Sequence, residues 1–260
     1  MTLNFDKYHG CGNDFVMINN LDGNLGDEMD SNIVNSLCNR RYGIGADGLI
    51  LLNQSDTEDF KMVYYNTDGN ESTMCGNGGR CIVAFAKAIG VIDSKCTFDA
   101  IDGRHVAEIY EDGIVKLVMT NVKGITRVSD DYVLDTGSPH YVKMVEGVEQ
   151  YDVFQQGRSI RNSAAFIDVG INVNFIESVG SDYRIRTYER GVEAETDACG
   201  TGVTAAALVL SHYFEAGNSI NLQTNGGLLT VEIGGKNGDT FKDISLIGPA
   251  IKVYSGSVDI

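Results

Sequence analysis

The chain has 260 residues and 43% of them are apolar, which is enough for one large domain or two domains of ordinary size. The formal charge is −16 at pH 7, so phosphate backbones and anionic membrane surfaces would repel the protein, and neither nucleic acid nor membrane is an expected partner. No apolar run has the length of a membrane span and the N-terminal segment lacks the apolar centre of a signal peptide, so we expect a cytoplasmic protein.

Short alternating runs between glycine-rich turns predict strands of about five to eight residues along most of the chain. The clearest β-hairpin is "HVAEIYEDGIVKLVMTNV" (105–122), which turns at Asp112-Gly113, a dipeptide that favours tight hairpin turns. The other predicted strands include "FVMINN" (15–20), "LILLNQ" (49–54), "KMVYYN" (61–66), "YRIRTYER" (183–190) and the hairpin "INLQTNGGLLTVEIGG" (220–235).

Three segments show a helical pattern. The first, "SNIVNSLCNRRYG" (31–43), has Asp30 or Ser31 as its N-cap. The other two, at about 79–89 and 202–215, are apolar nearly all round. Since a helix that is apolar on every face is buried on every face, we expect each of these two to be wrapped by strands.

A cysteine followed by a glycine-rich turn precedes each of the two apolar helices. The segments are "TMCGNGGRC" (73–81) and "ACGTGVTAA" (198–206), and Cys75 and Cys199 lie 124 residues apart, close to half the chain. This repeat predicts an α+β fold of two similar halves, each a strongly curved sheet around a central helix, with the two helix N-termini converging.

Cysteine beside a helix N-terminus has a specific chemistry. The unpaired N–H groups there bind anions such as carboxylate, and the same field lowers the pKa of a thiol. Two such sites would hold one carboxylate with a sulfur on each side of its α-carbon. A thiolate and a thiol placed in this way can invert a stereocentre by proton transfer. The chain carries no recognisable metal, phosphate or dinucleotide motif, so we expect neither cofactor nor metal.

Several motifs in order along the chain resemble the diaminopimelate epimerase family. They run from "KYHGCGNDFV" (7–16) to "LIGPAIKVYSG" (246–256) and include "RYGIGADGLI", "YYNTDGNESTMCGNGGRC", "TGSPHYV", "INVNF" and "TYERG…ACGTG". The resemblance implies two pseudo-symmetric, barrel-like, antiparallel-rich halves around central helices: residues 1–124 with a strand at about 248–260, carrying Cys75, and residues 125–247, carrying Cys199.

The resemblance also implies the activity and the residue roles. The family interconverts LL- and meso-diaminopimelate, a small molecule, without pyridoxal phosphate or metal, in lysine and cell-wall precursor biosynthesis, and it suggests a homodimer. Cys75 and Cys199 would be the catalytic thiols, with Cys75 the base toward the LL form, and His140 and Glu189 would tune their ionisation. The substrate-binding residues would be Asn13, Asn66, Gly76, Asn77, Asn172, Glu189, Arg190, Gly200 and Thr201.

The sequence departs from the common family pattern in three places. Gly48 stands where many members carry glutamine, and Ser138 stands where asparagine is frequent, so the substrate contacts there would be absent or shorter. The segment 191–198 makes the spacing from Glu189 to Cys199 one residue longer than usual.

Other interpretations stay open at this point. A proline or hydroxyproline racemase uses a similar pair of thiols, a phenazine-biosynthesis type isomerase uses a related site, and a non-enzymatic dithiol protein would use Cys75 and Cys199 as a redox sensor. Asn13 and Asn66 are also ordinary turn residues, and Glu189 with Arg190 is also a solvated pair. Four further thiols are expected to be structural: Cys11, Cys38, Cys81 and Cys96.

Overall fold

The computed structural model describes residues 1–26 and 29–260, which divide into two compact units. The first unit consists of Met1–Leu117 and Gly248–Ile260, and the second of Val118–Ile247. Across these described ranges, no helix combines the length and the apolar character needed to cross a membrane.

The elements of the first unit, up to the point where the chain enters the second, are β1 (Thr2–Gly10), β2 (Asn13–Asn20), α1 (Ser31–Cys38), β3 (Gly48–Asn53), β4 (Phe60–Asn66), β5 (Glu71–Ser72), α2 (Gly76–Ala88), β6 (Lys95–Ala100), β7 (Gly103–Ile109) and β8 (Ile114–Val118). Those that follow are β9 (Val122–Lys123), β10 (Thr126–Val128), β11 (Asp131–Asp135), β12 (Pro139–Met144), a 3-10 turn (Val148–Gln150), α3 (Val153–Arg161), β13 (Asn172–Val179), β14 (Asp182–Glu189), β15 (Ala194–Thr196), α4 (Gly200–Tyr213), β16 (Ser219–Gln223), β17 (Leu228–Asn237) and β18 (Thr240–Pro249). The chain then returns to the first unit as β19 (Ile251–Asp259).

The two units repeat one sheet topology. In the first, the strands run β19-β1-β2-β3-β4-β6-β7-β8, antiparallel except for the parallel pairs β2–β3 and β4–β6. In the second, they run β10-β11-β12-β13-β14-β16-β17-β18, again antiparallel except for β12–β13 and β14–β16. A helix bridges each parallel pair, as a crossover requires: α1 and α2 in the first unit, α3 and α4 in the second.

Each sheet has a central helix on one face and a shorter helix on the other. In α2 every residue from Gly76 to Ala86 is buried, and in α4 every residue from Val203 to Ser211 is buried. The outer face of the first sheet packs on α1 in an apolar cluster that includes Val34, Leu37 and residues of β3 and β4. Strand β3 is therefore buried on both faces, which explains its continuous apolar sequence. The predicted α+β fold of curved sheets around central helices is confirmed.

Most of the predicted elements form, with shifted bounds. The hairpin turns at Gly113, whose φ of 84° needs glycine, and α1 begins after Asp30, whose side chain accepts from Asn32 N. Helices α2 and α4 begin directly after their cysteines, two to three residues earlier than the apolar pattern indicated.

The sequence analysis missed α3 altogether. Its residues are mostly polar, with only Val153 and Gly157 buried. The helix approaches Tyr188 of β14 so closely that a β-carbon at Gly157 would overlap that side chain. This close contact positions the helix, and a hydrophobic pattern does not record it.

Candidate active site

Cys75 is the N-cap residue of α2, in the extended conformation with φ −101° and ψ 149°. Its sulfur accepts a hydrogen bond from Gly78 N at 3.2 Å, the position that a serine or aspartate oxygen takes in an ordinary N-cap. The side chain is only partly buried. The sulfur of Cys75 is thus fixed at the positive end of a buried helix and remains accessible.

The glycines after Cys75 also have a packing role. A β-carbon at Gly78 would lie 3.1 Å from Ile50 Cδ1 and 3.2 Å from the Cys75 sulfur. One at Gly79 would lie 2.8 Å from Met74 Sδ and 2.9 Å from Leu117 Cδ2. The glycine-rich turn therefore lets the first turn of α2 sit directly against the sheet.

Asn77 and Asn13 are joined in one hydrogen-bond chain at this end of the first unit. Arg80 Nη2 donates to Asn77 Oδ1 at 2.8 Å, Asn77 Nδ2 donates to Asn13 Oδ1 at 3.3 Å, and Asn13 Nδ2 donates to Asp47 Oδ2 at 2.8 Å. Both ends of each amide are engaged, so the orientation of both asparagines is set by the protein.

Asn13 is further supported by a cluster of charges. Arg40 bridges Asp14 and Asp47, and the buried Lys7 Nζ lies 2.8 Å from Asp14 Oδ2. Although burial opposes ionisation, the hydrogen bonds from Arg40 and Lys7 hold the pKa of Asp14 well below its usual range. Asn66 lies on the same side, because the β3–β4 register pairs it with Gly48, which follows Asp47.

Cys199 caps α4 in the second unit, with φ −114° and ψ 110°. Its sulfur makes no capping bond to the N–H groups of its helix and lies 3.4 Å from Thr201 Oγ1. The residue is 7% exposed. The carbonyl of Thr201 accepts from Thr136 Oγ1 at 2.9 Å, which anchors the first turn of α4.

His140 is fully buried beside this helix start and is a neutral imidazole. Burial, and to a lesser extent the charge of Arg190, lower the pKa of His140 to about 3. Asn174 Nδ2 lies 3.1 Å from His140 Nδ1, which makes Nδ1 the acceptor and leaves the proton on Nε2. Among the described residues Nε2 finds no hydrogen-bond partner, so it remains an available buried donor.

Asn172 connects several polar residues of the second unit by hydrogen bonds. Its Nδ2 donates to Ser138 Oγ at 2.8 Å and to Pro139 O at 3.2 Å, while its Oδ1 accepts from Arg190 N at 2.9 Å. Asn172 therefore fixes the backbone of Arg190 as well as the strand end that precedes His140. The Arg190 side chain is exposed and donates from Nη1 to Val169 O at 3.0 Å, while Glu189 Oε2 accepts from Thr196 Oγ1 at 2.9 Å.

Equivalent positions of the repeat are apolar in one unit and polar in the other. Gly78 faces Ile50, and Gly202, likewise the third residue after its cysteine, faces Asn174. In the first unit, the ring of Phe15 meets the ring of Tyr64, the cross-strand partner of Ile50, edge-on at 5.8 Å. In the second, His140, Asn174 and Thr187 form a hydrogen-bonded row.

The structure places the predicted residues in two sets, one in each unit. The first unit contains Cys75, Gly76, Asn77, Asn13 and Asn66, and the second contains Cys199, Gly200, Thr201, His140, Asn172, Glu189 and Arg190.

The sequence analysis overlooked Arg80 and Asn174, which orient residues of the two sets. The position of Asn174 two residues after Asn172, on the same face of β13, was the available signal. The absent side chain at Gly48 also has a structural reason: a β-carbon there would lie 2.6 Å from Tyr64 Cε2 and 2.7 Å from Tyr65 O. At this position the space is filled by Tyr64.

The fold is shared with solved structures of low sequence identity. A phenazine biosynthesis protein of the PhzF family from Bacillus anthracis has a TM-score of 0.79 at 15% identity, covering all of both chains. A probable proline racemase from Agrobacterium radiobacter has a TM-score of 0.72 at 13% identity, covering 99% of this chain and 93% of the other.

Sequence relationships identify the family to which the chain belongs. The family model for diaminopimelate epimerase matches residues 5–125 and 132–253. Diaminopimelate epimerases of Flavobacterium psychrophilum and Aquifex aeolicus are 47% and 38% identical, covering 97% and 98% of this chain and 98% and 97% of their own. The chain belongs to the diaminopimelate epimerase family and is an isomerase that acts as an epimerase on a small molecule.

Proposed function

We propose that the enzyme interconverts LL- and meso-diaminopimelate by two-base proton transfer at the α-carbon, without a cofactor, in lysine and cell-wall precursor biosynthesis. One thiolate removes the α-hydrogen from one face of the carbon, and the thiol of the other cysteine delivers a proton to the opposite face. In the reverse reaction the two thiols exchange these roles.

The observation that carries this proposal is that each unit builds the same element: a cysteine as the N-cap of a largely buried central helix, followed three residues later by a glycine packed on the sheet. A helix N-terminus stabilises negative charge on a sulfur and on a bound carboxylate. Removal of the α-hydrogen moves negative charge onto that carboxylate, so the same N–H groups stabilise the transition state more than the substrate.

We assign supporting roles to the residues around the thiols. His140 is neutral and supplies a buried N–H, so it would orient or stabilise charge without exchanging a proton itself. Glu189 would act with His140 on the ionisation of Cys199. The exposed guanidinium of Arg190 would bind the distal carboxylate, for which its planar fork is suited. Asn13, Asn66, Asn77 and Asn172 would position the amino and carboxylate groups, directly or through their neighbours.

The distal carboxylate separates this substrate from the ring monocarboxylates of the racemases that share the fold. A proline-type substrate would have no use for an arginine at this position. The dimer and the cytoplasmic location suggested by the family are part of the same proposal.

The test follows isotope incorporation in heavy water. Epimerised product should carry deuterium at the inverted carbon from the first turnover, while unreacted substrate is initially unlabelled. C75A and C199A should each lose inversion and retain slow exchange on opposite isomers. C38A is the control, because that thiol is the last residue of α1, lies in the apolar cluster between α1 and the sheet, and should leave turnover unchanged. If one thiol variant were inactive toward both isomers and the other nearly unaffected, a single-base mechanism would replace this one.

A further inference from the structure

Arg80 is a fully buried cation in the second turn of α2, with 0% of its surface exposed. Its guanidinium donates from Nη1 to Gly76 O at 2.9 Å, from Nη2 to Asn77 Oδ1 at 2.8 Å and from Nε to Pro249 O at 3.3 Å. Nη2 also lies 3.9 Å from the sulfur of Cys11. Within the described ranges, none of these partners is a carboxylate.

This placement is electrostatically unfavourable in two ways. Burial of a guanidinium costs free energy and lowers the pKa of Arg80. A positive charge near a helix N-terminus is also opposed by the helix dipole. A buried cation in such a place is stabilised when an anion is near it.

Three thiols lie near Arg80: Cys11, with its sulfur 3.9 Å from Nη2; Cys81, the next residue in the chain; and Cys75, which directly precedes the Gly76 carbonyl that accepts from Nη1. Burial raises the pKa of both Cys11 and Cys81, so these two remain neutral. Cys75 is the partly accessible one of the three and is therefore the sulfur that can carry the compensating charge.

In the second unit the corresponding carbonyl accepts its hydrogen bond from an uncharged side chain. Gly200 follows Cys199 as Gly76 follows Cys75, and its carbonyl accepts from Thr204 Oγ1 at 2.9 Å. Thr204 is thus the equivalent of Arg80, at the same distance along its helix. The starts of the two central helices differ by one buried positive charge.

We propose that Arg80 is a positioning residue that makes the two thiols unequal, so that the free enzyme carries its thiolate on Cys75 and its thiol on Cys199. Through its hydrogen bond to Asn77, the Arg80 side chain also fixes the hydrogen bond from Asn77 to Asn13. The inference rests on the proposed function only in taking these two thiols as the reacting pair.

Other charged groups near α2 are part of the same field. Asp102 accepts from Met74 N at 3.1 Å, directly before Cys75, and pairs with His105 at 3.3 Å. On β1 and β2, Lys7 and Asp14 form their own ion pair. Asp14 is paired with Lys7 and Arg40, and Asp102 lies beside His105, whereas within the described ranges the hydrogen bonds of Arg80 reach no carboxylate.

The test measures thiol ionisation directly by the pH dependence of iodoacetamide labelling, with Cys75 and Cys199 peptides quantified separately by mass spectrometry. Midpoints of the pH–rate profiles are compared, so that differences in access do not matter. In the wild type we expect Cys75 to reach its midpoint at lower pH than Cys199. In R80Q the rate at Cys75 should fall about tenfold at pH 6, and in R80K it should stay within about threefold of the wild type. Cys199 should change less than twofold in both.

K87Q is the matched control, because it removes one positive charge from the other end of the same helix and should leave both profiles unchanged. Equal profiles for R80K and R80Q would show that geometry and not charge is responsible, and would overturn the proposal. So would a wild-type profile in which Cys199 ionises first, which needs no variant to fold. Because labelling is done without substrate, its result does not depend on whether the enzyme epimerises diaminopimelate.

Discussion

A β-carbon at residue 202 would lie 2.3 Å from Asn174 Oδ1, so Asn174 keeps its position only because Gly202 has no side chain. Asn174 in turn holds Nδ1 of His140 and accepts from Thr187. This single contact therefore links the first turn of α4 to the buried histidine.

We expect Gly202→Ala to displace Asn174, break its bonds to His140 and Thr187, and lower both stability and turnover. Loss of buried hydrogen bonds together with overpacking should cost about 2–4 kcal/mol of unfolding free energy. Urea denaturation measures this cost, and epimerisation kinetics should show a fall in kcat of at least about tenfold.

Gly78→Ala is the matched comparison in the first unit. The new methyl would meet the mobile end of Ile50 at 3.1 Å and not a hydrogen-bonded amide. Its stability cost should therefore be the smaller of the two. Equal losses of stability for both variants would mean that the hydrogen bonds among His140, Asn174 and Thr187 contribute no additional stability.

Arg190→Lys retains the charge of the residue and removes the planar fork. We expect kcat/KM on diaminopimelate to fall about tenfold or more, which corresponds to roughly 1.4 kcal/mol of transition-state stabilisation. Substrates without a distal carboxylate should be poor for both enzymes and equally so. Wild-type kinetics in the variant would remove Arg190 from the substrate site.

His140 should make the enzyme less stable in acid. The unfolded chain takes up a proton at a histidine near pH 6.5, whereas the folded protein, with the pKa of His140 at about 3, does not. Stability is therefore fully present above pH 7 and is lost as the pH falls from about 6.5 toward 3. The loss between pH 8 and pH 5 from this residue is about 2 kcal/mol.

His140→Phe tests that dependence, since phenylalanine is the residue at the equivalent position, Phe15, of the first unit. The variant should be less stable than the wild type at pH 8, because Asn174 loses an acceptor. Its unfolding free energy should nevertheless fall less between pH 8 and pH 5. Parallel curves for the two proteins would show that His140 is not the group responsible.

Lys7→Met should be strongly destabilising. Lys7 is buried, lies 2.8 Å from Asp14 Oδ2 and also donates to Gly45 O. Removal of the lysine leaves a partly buried carboxylate with Arg40 alone, and the expected cost is about 3 kcal/mol in urea denaturation.

The control for Lys7 is Lys252→Met. Lys252 Nζ also lies 2.8 Å from a carboxylate, that of Asp6, but its side chain is 43% exposed. Its replacement should cost less than about 1 kcal/mol. A similar cost for the two variants would contradict the importance assigned to burial.

The sequence predicts the parts of this fold that local chemistry determines. A cysteine, a glycine turn and an all-apolar run were enough to place α2 and α4 and to indicate that both are buried. Asp112-Gly113 was enough to place a hairpin. These features depend on residues that are neighbours along the chain, and the family motifs then supply expectations for the remaining site residues.

The features that were missed depend on contacts between distant residues. Helix α3 is seated by Gly157 on Tyr188, and Tyr64 fills the space beside Gly48. The chain of bonds from Arg80 to Asn77 and Asn13 joins α2 to the start of β2. No periodicity records which side chain will lie opposite a glycine, so such contacts require the folded backbone.

The position of β19 has a consequence for how the protein is made. Strand β19 pairs with β1 along nearly its whole length, from Thr2 with Asp259 to His9 with Ile251, yet a ribosome synthesises the two strands at opposite ends of this sequence. The second unit is a continuous stretch of chain and can form as soon as it emerges. The first unit must wait with the edge of β1 open, exposed to other nascent chains, until residues 251–259 arrive.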